Sequence, residues 1–351
     1  MDDPGSASEQ PAAAIRAAIA AEGPIGFDRF MDLALYGPNG FYERQRVGPS
    51  GDFVTSPHVH PVFGELLARA LRQLWAHLDR PDPFRLVELG AGDGTLARQL
   101  RQHLVDLPLR YTVIERSETA IEELRRIEGI DVAARIPEAP QVVLGHELLD
   151  NLPFRLLRGR AEILVGTDGD RFVEVPAPLR DAAGGDAHDP DADRIVPAGA
   201  IALIDEVSQA LAHGYALFVD YGGDHGSGGP VHGYREHRVV ADVLARPGTT
   251  DITAGVDFGA LAAVAAQRGL RAFPTTTQFQ ALVALGFEDW MRTELATQGA
   301  LLNRGEGMEA VQRWAGRSRA SSLVSPDQLG RLRWFLLASP GLPRPAFMGE
   351  G

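Results

Sequence analysis

The residues best suited to chemistry lie in a glycine-rich segment, ELGAGDGTL at 88–96. Glu88 stands near the end of an apolar run, and Gly90, Gly92 and Gly94 follow it. Glycine permits positive φ and lets a ligand approach the backbone without meeting a Cβ atom. A strand, a glycine-rich turn and a helix in this order are typical of α/β proteins that bind a nucleotide-like ligand at the carboxyl end of the strand.

The glycine spacing bears on the choice of cofactor. A dinucleotide-binding turn needs a third glycine where this chain has Thr95. The charge of Glu88 would also repel a pyrophosphate. A cationic or zwitterionic ligand suits the segment better, and S-adenosylmethionine (SAM) carries a sulfonium and an amino-acid group but no phosphate. Glu115 ends the next predicted strand, where a carboxylate can accept both ribose hydroxyls. The two segments together predict a SAM site.

Further polar side chains follow two later strands. Glu147 and Asp150 come after the predicted strand 141–145 and stand three residues apart, so on one helical turn they would face the same way. Asp220 and Tyr221 end a later apolar strand at the same edge of the predicted sheet. The tyrosine would line a substrate channel or simply end its strand.

The elements that must position these residues alternate between strand and helix. Strands at 86–89, 111–115 and 141–145 alternate with helices at 95–104 and 118–127, which predicts a parallel, doubly wound sheet. We also expect a hairpin within 154–176, a return strand at 215–222, and helical patterns near 278–285, 305–317 and 326–337 at the end of the chain.

Composition limits the classes of function. The 351 residues carry a net charge of −13, which argues against nonspecific binding to nucleic acid or to an anionic membrane. Cysteine is absent, so the chain has no disulfide and no thiolate metal site. His58 and His60 lack a third ligand at a recognisable spacing, and we expect no metal site. The first ten residues are acidic and polar, unlike a targeting peptide, and we expect a cytoplasmic protein.

Motifs along most of the chain resemble the MidA family (mitochondrial complex I assembly methyltransferases), a group of class I SAM-dependent methyltransferases. The matching segments are YGPNGFY at 36–42, GDFVTSP at 51–57, ELGAGDGTL at 88–96, HELLDNLPF at 146–154, FVDYG at 218–222, RPGTTDITAGVDF at 246–258 and TQFQALVALG at 277–286. Their order and spacing agree with the family.

The resemblance implies a Rossmann-like class I methyltransferase sheet with an N-terminal helical cap and an inserted substrate-binding subdomain. The expected regions are 1–80 for the cap and a lid loop, 81–153 and 199–290 for the SAM-binding core, 154–198 for an inserted hairpin and loop, and 291–351 for C-terminal helices.

The resemblance also implies roles for individual residues. Glu147 and Asp150 would bind and polarise the guanidinium of a protein arginine, whose nitrogen receives the methyl group. The alternative is that Asp150 caps or braces the loop before Leu152-Pro153 and Glu147 acts alone. Asp220 and Tyr221 would face the substrate. The residues expected to bind SAM are Asp52, Phe53, Thr55, Ser56, Glu88, Gly90, Gly92, Gly94, Glu115 and His146.

One position departs from the family pattern. Members commonly read Ala-Asn-Glu where this chain reads Gly145-His146-Glu147. Histidine can carry a charge near pH 6.5, so His146 would alter pH dependence or specificity, or would be structural.

Several functions stay open at this point. The leading one is methyl transfer to an arginine of a protein, with a respiratory complex I subunit as the implied partner. The alternatives are a methyltransferase for a small molecule or a peptide natural product, and a non-catalytic SAM-binding assembly factor. A NAD-dependent dehydrogenase is disfavoured by Thr95. A homodimer also stays open.

Overall fold

A computed structural model gives the structure of most of the chain. The residues that it describes are 4–44, 54–180, 193–224, 231–235 and 238–349. Asp52 and Phe53 of the expected lid loop lie outside these ranges.

The strands form a central sheet, a second antiparallel sheet and two smaller ones. In chain order they are β1 Ile25–Gly26, β2 Phe84–Leu89, β3 Leu109–Ile114, β4 Asp131–Ala133, β5 Val142–His146, β6 Arg155–Arg158, β7 Ala161–Asp168, β8 Arg171–Pro178, β9 Asp193–Val196, β10 Tyr215–Asp220, β11 Gly222–Gly223, β12 His232–Arg235, β13 Arg238–Val240, β14 Asp251–Thr253, β15 Val256–Asp257, β16 Arg271–Ala272, β17 Thr276–Thr277 and β18 Arg333–Ala338.

The helices surround these sheets. They are α1 Pro4–Glu22, α2 Phe27–Met31, α3 Phe41–Arg44, α4 Ser56–Val59, α5 Val62–His77, α6 Thr95–His103, α7 Glu118–Leu124, α8 Ala198–Ala210, α9 Phe258–Gln267, α10 Gln278–Ala284, α11 Phe287–Asn303 and α12 Gly307–Ala320. Short helical turns occur at Asp32–Tyr36, Leu149–Asn151, Ser321–Leu323, Leu329–Arg331 and Ala346–Met348. Among the described residues, no helix combines the length and the apolarity needed to cross a membrane.

The central sheet confirms the predicted α/β architecture. Its strand order is β16-β18-β10-β5-β2-β3-β4, with β17 beside β18. Strands β2, β3, β4, β5 and β10 run parallel, and β18 is antiparallel to β10. The chain passes from β2 outward to β3 and β4, then crosses back to β5 on the other side of β2. Such a reversal opens a crevice at the carboxyl ends of the two central strands, where open α/β sheets bind ligands.

Two apolar layers hold helices against the central sheet. Alternate strand residues such as Leu86 and Leu144 pack against α5, α6 and α10, whereas Val87 and Val143 pack against α8 and α9. Each face is therefore covered, which explains why the strands are apolar on both sides.

The N-terminal helices pack on the second sheet, whose order is β1-β7-β6-β9 with β8 beside β7. The predicted hairpin is confirmed, since β7 and β8 pair from Asp168 opposite Arg171 and turn at Gly169 with φ +58°. Because β1 pairs with β7, the N-terminal segment is part of this sheet. The division of the chain into four regions stays a prediction.

The helix predicted at 326–337 is wrong. Residues Arg333–Ala338 form β18, which enters the central sheet between β10 and β16, and most of them are fully buried. A short continuous apolar run fits a buried helix and a buried strand equally well, because it lacks the period that separates the two.

Candidate functional site

Two adjoining cavities lie at the carboxyl edge of the central sheet. The first, which we call the inner cleft, occupies about 720 Å³ including its open mouth. Its lining comprises Tyr36, Tyr42, Thr55, Pro57, His58, Glu88, Gly90, Ala91, Gly92, Asp93, Leu96, Glu115, His146, Glu147, Leu148 and Asn151. The structure thus brings together most of the predicted SAM-binding residues that it describes.

The turn at 90–94 requires glycine because its backbone adopts positive φ and because a side chain at Gly94 would overlap its neighbours. Gly90, Gly92 and Gly94 have φ of +67°, +54° and +74°. At Gly94 a Cβ atom would overlap the side chain of Ile127. Asp93 stabilises the start of α6, since Oδ1 accepts the backbone N–H of Thr95 at 2.9 Å. The turn therefore presents bare backbone to the cleft, as a cofactor cradle requires.

Glu115 is held by backbone donors on both of its oxygens. Oε2 accepts the N–H of Gly92 at 2.9 Å, and Oε1 accepts the N–H groups of Arg116 at 2.6 Å and Ser117 at 3.1 Å. This arrangement fixes the carboxylate against the glycine turn, and carboxylate oxygens retain further lone pairs for a ligand. The geometry suits a ribose diol.

Glu88 lines the inner cleft, but its ionisation differs from the one expected. Its side chain is almost fully buried and accepts a hydrogen bond from the hydroxyl of Tyr111. Burial raises the pKa of Glu88 to about 8, although the Tyr111 hydrogen bond opposes the shift. The carboxyl is therefore mainly neutral at pH 7, and charge repulsion from Glu88 does not discriminate against a pyrophosphate there.

Glu147 stands where the inner cleft meets the second cavity. It follows β5 with φ +48°, a conformation rare for residues other than glycine, and it lies outside the helical turn Leu149–Asn151. Its Oε1 accepts the backbone N–H of Ser56 at 3.2 Å. Burial raises the pKa of Glu147 to about 8, and the hydrogen bond from Ser56 opposes that shift. Strained backbone at a buried acid is common at functional sites.

His146 is buried and uncharged. Burial, with a smaller contribution from the nearby His58, lowers the pKa of His146 to about 3. Its Nε2 atom is buried with no hydrogen-bond partner in the described part of the chain and lies 3.4 Å from Oε1 of Glu147. A histidine with so low a pKa does not change charge near pH 6.5, so we expect no effect of His146 on pH dependence, and its effect on specificity stays a prediction.

Asp150 and Asp220 form a buried pair behind Glu147. Oδ2 of Asp150 accepts the hydroxyl of Thr253 at 2.7 Å, and its Oδ1 is buried with no donor among the residues that the structure describes. Oδ2 of Asp220 accepts the N–H groups of Leu148 at 2.9 Å and Leu149 at 2.7 Å. Burial raises the pKa of both carboxyls, and the charge of Asp150 raises that of Asp220 further.

Asp220 lines neither cavity. Its Oδ1 accepts the N–H of Tyr221 at 2.8 Å, so backbone groups occupy both of its oxygens. The structure therefore places it behind the turn that carries Glu147 and Asp150, and not in the substrate position expected from sequence. The location of a residue at the end of a strand does not show whether its side chain faces a substrate or binds the protein backbone.

The expected lid loop is described only from Val54 onward. Thr55 lines the inner cleft, and its Oγ1 lies 2.8 Å from Nδ1 of His58, whose Nε2 lies 3.0 Å from Oδ2 of Asp93. The hydroxyl of Ser56 instead faces the core, where Nε2 of Gln278 donates to it at 3.2 Å. Thus Ser56 contributes its backbone, and not its side chain, to the site.

Sequence reasoning assigned no site role to several residues that line the inner cleft. The rings of Tyr36 and Tyr42 stack with centroids 5.3 Å apart. Their hydroxyls donate to the carbonyl of Asn151 at 3.1 Å and to Oδ1 of Asp251 at 3.0 Å. The motif YGPNGFY supported the family resemblance. The sequence around a tyrosine in a turn does not show which distant loop its hydroxyl will contact.

The second cavity, which we call the outer cavity, occupies about 1620 Å³ including its open mouth. It shares Glu147 and Asn151 with the inner cleft. Its remaining lining comprises Val54, Asp150, Tyr221, Gly222, Gly223, His232, Tyr234, Asp251, Thr253, Ala254, Gly255, Arg331 and Arg333. Tyr221 therefore lies at a cavity wall, and its contact with substrate stays a prediction.

Comparison with known proteins agrees with this arrangement. Residues 66–276 match the family model described as "Putative S-adenosyl-L-methionine-dependent methyltransferase". A structure from Burkholderia thailandensis, solved with bound S-adenosyl-homocysteine, superposes with a TM-score of 0.82 at 26% identity, covering 99% of this chain and 97% of that one.

Curated relatives include the mitochondrial protein arginine methyltransferase NDUFAF7. The human protein is 31% identical over 69% of this chain and 66% of its own length. The rat protein is 30% identical over 71% of this chain and 68% of its own length. The Drosophila melanogaster homologue is 29% identical over 93% and 84%. This chain thus spans just under two thirds of the human relative.

The expected cytoplasmic location is contradicted by these comparisons, since the relatives from human, mouse and fruit fly are mitochondrial proteins. The expectation rested on the composition of the first ten residues, which holds too little information to decide a compartment.

Proposed function

This chain belongs to the family of S-adenosyl-L-methionine-dependent methyltransferases, as its resemblance to the MidA family predicted, and from this premise we propose that it methylates a nitrogen of an arginine side chain in an acceptor protein. The observation that carries the proposal is the position of Glu147. Its carboxyl is the acidic group common to the inner cleft and the outer cavity.

The inner cleft fits SAM. The carboxylate of Glu115 would hold the ribose hydroxyls, and the glycine turn would lie against the amino-acid end, where a Cβ atom would obstruct it. The unpaired Nε2 of His146 offers a further polar contact beside Glu147. SAM supplies a methyl group on a sulfonium, which is a strong electrophile.

The outer cavity would hold the acceptor arginine. A guanidinium is protonated at neutral pH, so its nitrogen needs both binding and polarisation. Glu147 and Asp150 both line this cavity, and a carboxylate pair can bind the guanidinium and concentrate its positive charge on the nitrogens that do not react. The arriving cation would favour ionisation of Glu147, because an opposite charge lowers the pKa of a carboxyl.

Methyl transfer would form a C–N bond while the bond between the methyl group and the sulfonium sulfur breaks, so that S-adenosyl-homocysteine leaves and the arginine nitrogen keeps a surplus proton. Glu147, once ionised beside the bound cation, can accept that proton, because burial favours the protonated form of its carboxyl. Asp220 would act as a positioning residue, because it fixes the backbone of Leu148 and Leu149 beneath the reacting groups.

We extend the proposal to the identity of the acceptor, for which the MidA resemblance implies a subunit of respiratory complex I. The sharpest test is incubation of the protein with SAM labelled in its methyl group and a lysate of the source cell, followed by separation of proteins from small molecules. Acid hydrolysis of the labelled protein should yield methylarginine.

Glu147→Gln is the matched control. It should bind S-adenosyl-homocysteine with unchanged affinity and lose methyl transfer by at least about a hundredfold, the usual loss when a proton acceptor is removed. Label found only in small molecules would favour the natural-product alternative, and full activity in Glu147→Gln would contradict the carboxylate mechanism. If the wild-type protein binds SAM tightly but transfers no label to any component of the lysate, the non-catalytic assembly factor would be favoured.

A further inference from the structure

Two arginines line the outer cavity on a different element from the carboxylates. Arg331 ends the helical turn Leu329–Arg331, and Arg333 begins β18. Within the described ranges, neither guanidinium has an ion pair or a side-chain hydrogen bond. Arg331 is exposed and Arg333 is half-buried, and both stand at the wall of a cavity that should receive a cationic side chain.

The missing partner of Arg333 has a structural cause. In the antiparallel pair of β10 and β18, Arg333 stands directly opposite Asp220. Residues so placed have side chains on the same face and normally pair when their charges are opposite. The oxygens of Asp220, however, already accept the backbone N–H groups of Leu148, Leu149 and Tyr221. The nearest expected carboxylate is therefore committed elsewhere, and the guanidinium of Arg333 stays available.

Arg331 is positioned by an aromatic ring. Its guanidinium carbon lies 5.3 Å from the ring centroid of Tyr221, which also lines the outer cavity. A cation–π contact orients a guanidinium without consuming its hydrogen-bond donors. Arg331 can therefore hold its place and still donate to a ligand.

The outer cavity is thus dipolar. Glu147 and Asp150 after β5 and Asp251 of β14 are its acidic residues, and Arg331 and Arg333 stand on the β18 side. We propose that Arg331 and Arg333 bind a carboxylate of the acceptor protein, close in sequence to the arginine that is methylated. This inference rests on the proposed function, because it assigns the arginine to the acidic side of the same cavity.

A carboxylate is the ligand that this pair fits best. Each guanidinium offers a planar set of donors that matches two carboxylate oxygens, and charge-assisted bonds of this kind are short and strong. The carboxylate can belong to an aspartate or glutamate side chain or to the end of the acceptor chain. In either case it would fix the direction in which the acceptor peptide crosses the site.

The test uses the full-length protein saturated with S-adenosyl-homocysteine and two sets of short synthetic peptides. Every peptide of the first set holds one arginine and either glutamate or glutamine at one scanned position, with an amidated end. The second set has no acidic side chain and carries a free or an amidated carboxyl terminus. Fluorescence anisotropy should show that a peptide with a carboxylate at the favoured position binds about tenfold more tightly than its uncharged counterpart.

The double variant Arg331→Gln/Arg333→Gln should lose that difference and retain its affinity for S-adenosyl-homocysteine. Arg160→Gln, at an exposed turn that lines neither cavity, is the matched control and should keep the difference. Equal binding of charged and uncharged peptides by the wild-type protein, no peptide binding at all, or a preference that survives the double variant would overturn the proposal.

Methyl transfer from labelled SAM to the same peptides separates this inference from the proposed function. Preferential binding without methylation would support the carboxylate subsite and contradict arginine methylation of these sequences. Methylation with no dependence on the carboxylate would support the enzyme activity and refute the subsite.

Discussion

The backbone N–H of Ser56 donates to Oε1 of Glu147 at 3.2 Å, although 91 positions separate the two residues. The hydroxyl of Ser56 is bound in turn by Gln278, which is fully buried. The start of α4 is therefore held from the core side and directs one backbone donor at the carboxyl to which we assign catalysis.

Ser56→Pro should reduce methyl transfer, whereas Ser56→Ala should not. Ser56 is the first residue of α4 and Thr55 before it is extended, so the backbone accepts proline there. Both variants lose the hydroxyl, but proline alone loses the N–H. A hydrogen bond to a charged group contributes about 1.5–3 kcal/mol, and we expect kcat/KM for Ser56→Pro to fall about tenfold or more below that of Ser56→Ala.

The affinity of both Ser56 variants for S-adenosyl-homocysteine is measured together with their kcat/KM. Equal activity in the two variants, with both folded, would show that this donor does not serve Glu147.

The sequence predicts the fold correctly where the hydrophobic pattern is clear and glycine residues mark the turns. Strand β2, the glycine turn and α6 lie where the pattern placed them, because an apolar run followed by three glycines permits few other local structures. Strand β18 was missed because its residues are buried on both faces and so show no alternation. Its place beside β10 depends on contacts more than a hundred residues apart in sequence.

The site was predictable in its residue types and not in its electrostatics. The sequence pointed to Glu115, Glu147 and Asp150, and the structure brings all three to the two cavities. It could not reveal that Glu88 and His146 are buried and mainly uncharged at neutral pH, since burial depends on the packing of distant helices.

The burial of Glu88 predicts an unusual pH dependence of stability. In the folded protein the pKa of Glu88 is about 8, against 4.5 for an unperturbed glutamate. Between these values the unfolded chain releases a proton that the folded protein retains. The free energy of unfolding therefore falls as pH rises through this window, by about 1.4 kcal/mol per pH unit from this group.

Glu88→Gln should remove that contribution, because an amide does not ionise and can still accept the bond from Tyr111. Urea unfolding at several pH values between 5 and 8 measures the slope. Replacement of the exposed Glu138 by glutamine should leave the wild-type slope unchanged. Identical slopes in wild type and Glu88→Gln would mean that Glu88 is ionised in the folded protein.

His146→Asn should preserve the shape of the pH–rate profile. Burial lowers the pKa of His146 to about 3, so the ring stays neutral throughout the pH range of an assay between 6 and 8. The variant replaces one neutral polar group by another, and any loss of kcat/KM should be the same factor at every pH. Profiles measured for both proteins decide this, and an inflection near pH 6.5 that only the wild type shows would contradict the assignment.

Glu115→Gln should weaken cofactor binding without unfolding the protein. Both oxygens of Glu115 accept backbone N–H groups, and the amide nitrogen of glutamine cannot replace an acceptor. We expect the Kd of S-adenosyl-homocysteine, measured by calorimetry, to rise at least about tenfold, since one charge-assisted hydrogen bond is worth about 1.5–3 kcal/mol. An unchanged Kd would place the ribose elsewhere in the cleft.

Gly94→Ala and Gly299→Ala add the same methyl group in two different settings. At Gly94 the backbone has φ +74°, and the new Cβ atom would overlap the side chains of Ile127 and Leu124. Positive φ costs alanine about 1–2 kcal/mol, and crowding adds about 1–3 kcal/mol. Gly299 lies within α11 with no atom within 4 Å of a Cβ, so alanine there should stabilise the protein by up to about 1 kcal/mol.

Urea unfolding of the two variants should therefore give changes of opposite sign. Gly94→Ala should also bind S-adenosyl-homocysteine more weakly, because the turn that carries Gly92 must shift to admit the methyl group. Since the two variants have the same composition, their difference in stability and affinity reports the conformation of the glycine turn alone. Equal stability would show that the turn tolerates a side chain at Gly94 and that its left-handed geometry is not what the cofactor cleft requires.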